Sequence, residues 1–487
     1  MIRGIRVITF VFVAALTTSV LFATQLLTFS QDLFHGTQQA RNEQLIGEDC
    51  VQGPLSNPLK YNLSDIWFPQ YVSDDELWVG HNTGAFRSLL SCMQRDSCGP
   101  NQVHLVIIGS WFIRDALLPT KFAGEHVWCR DHAFQLQALD NLRYTYVFAT
   151  DNLDIARIHK MFPSLVIAIL FEPFDLQGCL DDEIRCVKSA RNPHGIPVWK
   201  LLMFTFWAEA RGPLGEKWTL SPEPYQRLSR NYPHNAYVGY SIESTCYAHP
   251  TIPHSERPDQ VYFMSKKAQW FVSSWPRDFY DAAVDELGVQ FVMGLHDSTA
   301  KVPDHPDIPL AQSNIPFPKG VKDLGALQPH EFLAELSRSK AIIGLGAPVT
   351  SPTPYEALCL GVPFINPIKS WDYYHPKDRY SWNTQHDMLK FMDAPYVYNV
   401  FQNDKKAFVR AIKSALETPI QPFVFDDMKL PAIQKRLHAI LQRDHYGMAK
   451  VVLERRLAGL EDGPVRQITW CRCAVFTNVK IIQLFVL

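Results

Sequence analysis

The sequence has no marked excess of charge of either sign. Its 487 residues include 47 Lys and Arg against 49 Asp and Glu, which leaves a formal net charge of −2. Such a balance provides no overall field that would attract nucleic acid or an acidic polymer. The composition therefore gives no reason to expect a nucleic-acid partner. The length exceeds what one ordinary core accommodates and predicts two domains.

The ten cysteines are not accompanied by a histidine cluster at zinc-like spacing, so they predict no zinc site. Cys92 and Cys98 are close enough in sequence for a local disulfide, and so are Cys179 and Cys186. Such bonds would suit an oxidising compartment. The alternative interpretation is that several of these cysteines are buried free thiols.

Only one long apolar run lacks charge altogether, "VITFVFVAALTTSVLFATQLLTF" at residues 7–29. About 20 such residues can span a bilayer as a helix. Arg3 and Arg6 precede the run, which predicts a signal anchor with a cytoplasmic tail at residues 1–6 and a lumenal remainder. A cleaved signal peptide is the alternative, although its apolar core is usually shorter. Asn62, followed by Leu and Ser, is an N-glycosylation acceptor pattern.

The rest of the chain alternates short apolar runs with helical patterns. Residues 30–100 are polar and turn-rich, which predicts a stem and the approach to the first domain. The strand candidates of that domain are 103–109, 144–150, 165–171, 201–207 and 236–242. A helical pattern spans about 124–142, between the first two of them. The alternation indicates a doubly wound parallel sheet.

A second alternation follows the Pro- and His-rich stretch at 248–260, which predicts a linker. Its strand candidates are 260–265, 289–295, 340–346 and 362–366, with helices predicted near 276–287, 330–339 and 354–360. We therefore predict an α/β protein with Rossmann-like domains at 101–250 and 260–425, C-terminal helices at 426–460 and an unassigned tail at 461–487. Ligands of such sheets bind at the carboxyl ends of the strands, so two sheets facing a cleft suit a two-substrate reaction.

The stretch "IIGLGAPVTSPTPYEALCLGVPFINP" at residues 342–367 carries a single charge, that of Glu356. Gly344 and Gly346 stand where a strand would end, and glycine there lets backbone approach a ligand closely. Pro354 stands at the start of a predicted helix, whose first N–H groups would suit a diphosphate. A carboxylate one turn in would repel phosphate, so Glu356 is predicted to accept hydrogen bonds from sugar hydroxyls. An ordinary turn with an acidic first helical turn is the alternative.

The same stretch resembles the donor-site segment of glycosyltransferase family 18, the α-1,6-mannosylglycoprotein 6-β-N-acetylglucosaminyltransferases. The family pattern there is GLG-x-P, then P-x-P-x-E-A, then G and F-x-N-P. "GPLGEKWTLSPEPYQRL" with "AYVGYSIE" is similar to the P-x-G-K-W-x-L-x-P segment and its following strand, and "AGEHVWCRDHAFQLQAL" at 123–139 is similar to a G-E-x-V-x-W-S-D helix start. The resemblance covers roughly residues 100–445.

The resemblance implies a GT-B fold and an inverting, metal-independent transfer of N-acetylglucosamine from UDP-N-acetylglucosamine in the Golgi lumen. It places Glu125 at the catalytic base position and Glu356 at the glutamate that binds the donor ribose. Lys266 matches a lysine after the first strand of the donor domain, and Lys377 matches a second donor-side lysine after a one-residue shift. No cofactor is implied. The sequence has no D-x-D motif in a strand-end loop, which agrees with a metal-free reaction.

Departures from the family pattern bear on the acceptor. The stretch 369–388 differs where the family contacts donor, the acceptor-side strands match poorly, and the family's long stem extension is not present. The expected acceptor is the 6-hydroxyl of a mannose in an N-glycan. The alternatives are another nucleotide sugar or acceptor on the same fold, or a catalytically inactive, lectin-like Golgi protein. Trp218 is predicted to belong to the domain core and not to stack on a sugar.

Overall fold

The computed structural model describes residues 77–115, 134–149, 151–208, 212–228, 234–272, 275–295, 301–302, 305–309, 317–463, 473–475 and 482–484. The predicted membrane span at 7–29 and the glycosylation pattern at Asn62 lie outside these residues. In the described part of the chain, no helix combines the length and the apolar character that a membrane span requires.

The first sheet consists of six parallel strands. They are β1 (Leu105–Ile108), β2 (Thr145–Phe148), β3 (Val166–Phe171), β4 (Leu201–Phe204), β5 (Thr219–Ser221) and β6 (Ala236–Tyr237). Their order is β2-β1-β3-β4-β5-β6. Every side chain of β1, β2 and β4 is buried, as expected of a parallel sheet covered on both faces. The predicted α/β class is confirmed in this half.

Six helices accompany the first sheet in the described residues: α1 (Leu77–Gln94), α2 (Trp111–Asp115), α3 (Phe134–Asn141), α4 (Asn152–Met161), α5 (Pro173–Asp181) and α6 (Glu243–Ala248). The α4 helix begins where Asp151 accepts hydrogen bonds from the N–H groups of Leu153 and Asp154, at 2.8 and 2.9 Å.

The α1 helix lies in the range predicted to be stem. Its buried face includes Phe86, Leu89 and also Asn82. The Asn82 amide donates to the Phe148 carbonyl at 2.7 Å and accepts from the Phe148 N–H at 2.8 Å. A polar side chain on the core face, together with Gly80 in the same helix, interrupts the apolar repeat. The sequence pattern therefore did not reveal this helix.

The second sheet has seven strands and is mostly parallel. They are β7 (Gln260–Phe263), β8 (Gln290–Met293), β11 (Lys322–Asp323), β12 (Ala341–Ile343), β13 (Phe364–Ser370), β14 (Asn383–Thr384) and β15 (Val397–Phe401). Six follow the order β11-β8-β7-β12-β13-β14, β15 pairs with β13 in parallel, and only the β13–β14 pair is antiparallel. Two short hairpins stand apart, β9 (Lys301–Val302) with β10 (His305–Pro309), and β16 (Cys473–Val475) with β17 (Ile482–Leu484).

The helices of this half are α7 (Arg277–Leu287), α8 (Pro329–Arg338), α9 (Thr353–Cys359) and α10 (Lys405–Glu417). The α7 helix ends at Gly288, which has a φ of +66°. The α8 helix starts at a proline, and its Glu331 carboxylate accepts the N–H of Gln328 at 2.7 Å. These start and stop signals explain why the predicted bounds of α7 and α8 differ from the observed ones by only a residue or so.

Two C-terminal helices, α11 (Leu430–Leu441) and α12 (His445–Leu457), return to the first sheet. Tyr144, just before β2, is hydrogen-bonded through its hydroxyl to His438 and Gln442 of the α11 region, at 3.0 and 2.8 Å. The Arg436 guanidinium lies 4.2 Å from the Tyr237 ring centroid and donates to the Val238 carbonyl at 2.9 Å. One buried apolar cluster contains residues of both sheets and of these helices. The boundaries of the predicted regions stay a prediction.

Candidate functional site at the strand ends

One glutamine side chain holds the turn that follows β12. The Gln385 amide oxygen accepts a hydrogen bond from the Gly346 N–H at 2.7 Å, and its nitrogen donates to the Pro348 carbonyl at 3.1 Å. The Gln385 backbone carbonyl accepts from the Thr350 N–H at 2.8 Å. Gln385, which follows β14, therefore sets the shape of this turn. Nothing local in the sequence signals that role, because every partner lies far away along the chain.

The two predicted glycines meet needs of the turn itself. A Cβ atom at Gly344 would collide with the Gln385 amide oxygen and lie 2.8 Å from the Pro367 ring. The Gly344 carbonyl accepts the indole N–H of Trp275 at 2.9 Å. Gly346 has a φ of +94°, which glycine adopts without strain. Packing explains Gly344 and backbone conformation explains Gly346, and the part of both glycines in ligand binding stays a prediction.

A lysine that was not among the predicted site residues lies at the same turn. Lys369, near the end of β13, donates from Nζ to the Gly346 carbonyl at 3.4 Å. Burial lowers the pKa of Lys369, while the nearby Asp387 carboxylate acts to raise it. An ammonium group is thus placed beside the predicted donor turn. The family resemblance indicated Lys266 and Lys377 for this role, because those two residues match family positions.

The α9 helix positions the predicted donor glutamate. It begins after Pro352, includes Pro354 in its first turn and has seven residues. Glu356 is only 4 % exposed. A carboxylate at this depth requires hydrogen-bond donors. The hydroxyls of a sugar are donors of that kind, so burial is compatible with the predicted role of Glu356 without testing it.

The two predicted lysines lie in different parts of the second sheet. Lys266 is exposed and follows β7, the direct neighbour of β12, so it lies at the same edge of the sheet as Gly344 and Gly346. Lys377 is exposed in the excursion between β13 and β14. Lys266, the two glycines, Pro354 and Glu356 are therefore all presented at the carboxyl ends of neighbouring strands β7 and β12.

Glu125, the predicted catalytic base, lies outside the described residues. What the structure shows at the carboxyl edge of the first sheet is a different glutamate, Glu172, directly after β3. Its carboxylate accepts the Ser110 hydroxyl at 2.5 Å and the Phe112 N–H at 3.2 Å. Burial raises the pKa of Glu172, and these hydrogen bonds act against that shift. No sequence pattern indicated a role for this residue.

Two tryptophans flank the same edge, Trp111 after β1 and Trp207 after β4, and they are 41 % and 46 % exposed. The Trp111 ring stacks on Phe112, with centroids 3.7 Å apart. Phe112 in turn meets Phe206 edge-on at 5.2 Å. An aromatic patch, defined by these four rings, therefore spans the ends of β1 and β4. Trp218, by contrast, is buried, and its predicted core position is confirmed.

The edges of the two sheets meet through a small apolar cluster. Ala208, next to Trp207, is buried together with Tyr225 and Leu228. Met388 and Phe391, a few residues after Gln385, pack against them. The segments that follow Trp207 and Gln385 are thus packed against each other. In the described part of the chain, no group of three or more His, Cys, Asp or Glu side chains is placed to hold a metal ion.

The architecture defines a class, that of α/β proteins with two parallel sheets whose strand ends meet at one junction. The sequence profile of glycosyltransferase family 18 matches residues 203–461, more than half of the chain. The chain therefore belongs to glycosyltransferase family 18, and the predicted membership is confirmed.

Known relatives agree with this membership. Alpha-1,6-mannosylglycoprotein 6-beta-N-acetylglucosaminyltransferase A of Homo sapiens is 22 % identical over 259 residues, which is 50 % of this chain and 32 % of the relative. The B enzyme of Homo sapiens is 22 % identical over 240 residues, 47 % of this chain and 28 % of the relative. The matched stretch thus spans about one third of the length of these curated relatives.

Solved structures give weaker likenesses. UDP-N-acetylglucosamine 2-epimerase from Rickettsia bellii matches with a TM-score of 0.39 and 11 % identity, over 72 % of this chain and 98 % of that one. The calicheamicin glycosyltransferase CalG4 matches with a TM-score of 0.28 and 11 % identity, over 73 % and 97 %. At these values neither structure supports an inference about the function of this protein.

Proposed function

We propose that this protein is an inverting glycosyltransferase of GT-B architecture that moves N-acetylglucosamine from UDP-N-acetylglucosamine to the 6-hydroxyl of a mannose in an N-glycan. The observation that carries the proposal is the family profile, whose matched residues include the whole turn-and-helix segment around Glu356. The names of the relatives supply the donor sugar and the acceptor linkage. The predicted signal anchor supports a place in the Golgi membrane with the catalytic part in the lumen.

The second sheet is the proposed donor side. Glu356 accepts hydrogen bonds from the donor ribose, and the turn after β12 lies against the diphosphate. Backbone groups of that turn already have protein partners. The Gly346 N–H donates to Gln385, and the Gly346 carbonyl accepts from Lys369. The charge of the departing UDP therefore falls chiefly to ammonium groups, for which Lys369 and Lys266 are the candidates at this edge.

The first sheet is the proposed acceptor side. Trp111 and Trp207 present aromatic faces of the kind that pack against sugar rings, and they follow β1 and β4 at the carboxyl edge of the first sheet. Glu172 fixes the start of α2, because it binds both Ser110 and the Phe112 N–H. The aromatic patch is thereby held in one arrangement, as an acceptor site requires.

Glu125 is the proposed base. As the acceptor oxygen attacks the anomeric carbon, the carboxylate takes the hydroxyl proton, the bond from that carbon to the UDP oxygen breaks, and UDP leaves with the bonding pair. A single displacement of this kind inverts the anomeric configuration. Because no metal takes part in the proposal, the lysines named above must stabilise the departing diphosphate.

The proposal is tested with the full-length chain purified in mild detergent. UDP release from UDP-N-acetylglucosamine is measured with and without an N-glycan acceptor, and with and without EDTA. We expect Glu125→Ala to lower kcat by about 10²- to 10⁴-fold, the range of general base catalysis. Glu356→Ala should raise the donor KM by about tenfold or more, since a charged hydrogen bond is lost. Glu286→Ala, at an exposed glutamate of α7, is the matched control and should change neither value.

Each component of the proposal has an outcome that contradicts it. Loss of activity in EDTA would exclude the metal-free reaction, and unchanged kcat in Glu125→Ala would remove Glu125 from its role. Transfer from a different nucleotide sugar, or to a different acceptor, would redefine the substrates. If no nucleotide sugar is turned over but glycans still bind, the lectin-like alternative replaces the enzyme.

A further inference from the structure

A buried carboxyl group joins the two halves of the molecule. Glu223 follows β5 and is 2 % exposed. The Tyr240 hydroxyl is hydrogen-bonded to its Oε1 at 2.9 Å, and the Tyr355 hydroxyl is hydrogen-bonded to its Oε2 at 3.2 Å. Both carboxyl oxygens therefore have a tyrosine partner. We call these three residues the carboxyl bridge.

The members of the carboxyl bridge come from opposite sides of the junction. Glu223 and Tyr240 stand on either side of β6 in the first half, whereas Tyr355 belongs to α9 in the second half. The rings of Tyr240 and Tyr355 also meet edge-on, with centroids 6.1 Å apart. The bridge is thus a direct tie between the first sheet and the helix that carries Glu356.

The surroundings of Glu223 hold it in the neutral form at neutral pH. Burial raises the pKa of Glu223 to about 8, the two tyrosine hydroxyls and Arg227 act to lower it, and Asp427 acts to raise it further. A neutral carboxyl keeps both tyrosines by accepting a hydrogen bond at one oxygen and donating one from the other. Glutamine has the same pattern of one acceptor and one donor group.

Stability alone does not account for an acid at this position. Burying a polar group costs free energy unless it is hydrogen-bonded, and a leucine of similar size would avoid that cost. Unlike leucine, the acid forms two directional hydrogen bonds, one to Tyr240 and one to Tyr355. One of these partners, Tyr355, immediately precedes Glu356 in α9.

We propose that Glu223 is a positioning residue of the donor site, which acts through Tyr355 to fix α9 and hence the carboxylate of Glu356. The inference rests on the proposed function, in which Glu356 binds the donor. Since Glu223 belongs to the first half, the tie also fixes Glu356 relative to the proposed acceptor side. Transfer reactions are sensitive to displacements of about 1 Å between their reactants.

The test compares the KM for the donor with the KM for the acceptor in three variants. Tyr355→Phe and Glu223→Leu should each raise the KM for UDP-N-acetylglucosamine, and the Kd for UDP by calorimetry, about fivefold, the equivalent of one net hydrogen bond. The acceptor KM should change less than twofold, within ordinary error of such comparisons. Glu223→Gln, which keeps both hydrogen bonds, should have the same donor KM as the wild type.

Tyr144→Phe is the matched control. It removes a comparable tyrosine hydroxyl that ties the first half to α11 but does not contact α9. This variant should lose stability and keep the donor KM. Thermal unfolding of every variant shows which of them fold, and Tyr355→Phe, which removes a single oxygen, keeps the test valid if Glu223→Leu does not fold.

Three results would overturn the inference while the wild type remains active. The first is an unchanged donor KM in Tyr355→Phe. The second is a rise of the donor KM in Tyr144→Phe equal to that in Tyr355→Phe. The third is a donor KM of Glu223→Gln as high as that of Glu223→Leu. If the wild type neither binds UDP nor turns over UDP-N-acetylglucosamine, the proposed function itself fails and the inference fails with it.

Discussion

Several ionisable side chains in the described residues are buried deeply enough to stay neutral at neutral pH. Burial lowers the pKa of His386 and of His159 to about 3. Burial also raises the pKa of Glu223 to about 8. Each group avoids the cost of burying a charge by favouring its neutral form. Their effects on stability fall in different pH ranges, because the ordinary pKa of a histidine differs from that of a glutamate.

Glu223 should make the protein less stable as the pH rises. The pKa of its carboxyl is about 8 in the folded chain, whereas the ordinary value of 4.5 applies to the unfolded chain. Between these two pH values the folded chain keeps a proton that the unfolded chain has released. The free energy of unfolding then falls with increasing pH. From about pH 5 to about pH 8 we expect wild type to lose about 3 kcal/mol relative to Glu223→Gln, measured by chemical denaturation followed by tryptophan fluorescence.

The comparison with Glu223→Gln isolates this group. The other titrating groups, the two histidines included, contribute equally to both proteins and cancel in the difference. A difference that stays constant across the pH range would show that Glu223 ionises normally in the folded chain, and one that grows in favour of wild type at high pH would show that its pKa is lowered there.

At the scale of the elements, a disulfide links α6 to α9. Cys246 and Cys359 are bonded across a sequence separation of 113 residues. The bond connects the last helix before the predicted linker to the helix that carries Glu356. Two further disulfides, Cys92–Cys98 and Cys179–Cys186, are the local pairs that the sequence spacing suggested. Spacing could not predict the long-range pair, because it depends on how the two halves meet.

The long-range disulfide should contribute more stability than a local one. In the chain-entropy model, closing a loop of about 113 residues stabilises by about 5 kcal/mol, against about 2.5 kcal/mol for a loop the size of the one at Cys92–Cys98. We expect the double variant Cys246→Ala/Cys359→Ala to lower the melting temperature more than Cys92→Ala/Cys98→Ala does. Calorimetry under non-reducing conditions measures both, and equal losses would contradict the expectation.

The sequence predicted the buried parallel strands well. Both faces of such strands are covered, so β1, β3 and β4 are continuous apolar runs, which can be recognised without knowing their neighbours. The α1 helix escaped notice because Asn82 occupies a core position, where its partner is the backbone of β2. Strand β15 also went unpredicted, since three of its five side chains are only partly buried.

The site was predictable only where its residues belong to one segment. The stretch from Gly344 to Glu356 is local, and the structure does place it at a strand end. Gln385, Glu223 and Glu172 gain their roles from partners many residues away, at 39, 132 and 62 positions respectively. No periodicity or turn signal encodes such contacts, which exist only after the sheets and helices have assembled.

At the scale of the whole molecule, the two halves share their interior. The large apolar cluster contains Ile107 of the first sheet, Phe364 of the second and Leu437 of α11. The carboxyl bridge crosses the same boundary, and the contacts of Tyr144 and Arg436 join α11 to the first sheet. An interface of this kind differs from the wetter and more polar contacts that usually allow domains to move independently.

A shared interior predicts that the two halves unfold together. We expect calorimetry of the full-length chain to show one transition for the part that contains both sheets, with equal calorimetric and van't Hoff enthalpies. UDP, which the proposal places on the second sheet, should raise the temperature of that single transition, because a ligand that binds only the folded state stabilises everything that unfolds with its site. Arg436→Ala removes the guanidinium stacked 4.2 Å from the Tyr237 ring and should lower the transition temperature without affecting UDP binding. Two transitions in the wild type, of which UDP shifts only one, would show instead that each sheet is stable alone and that the shared cluster contributes little to joining them.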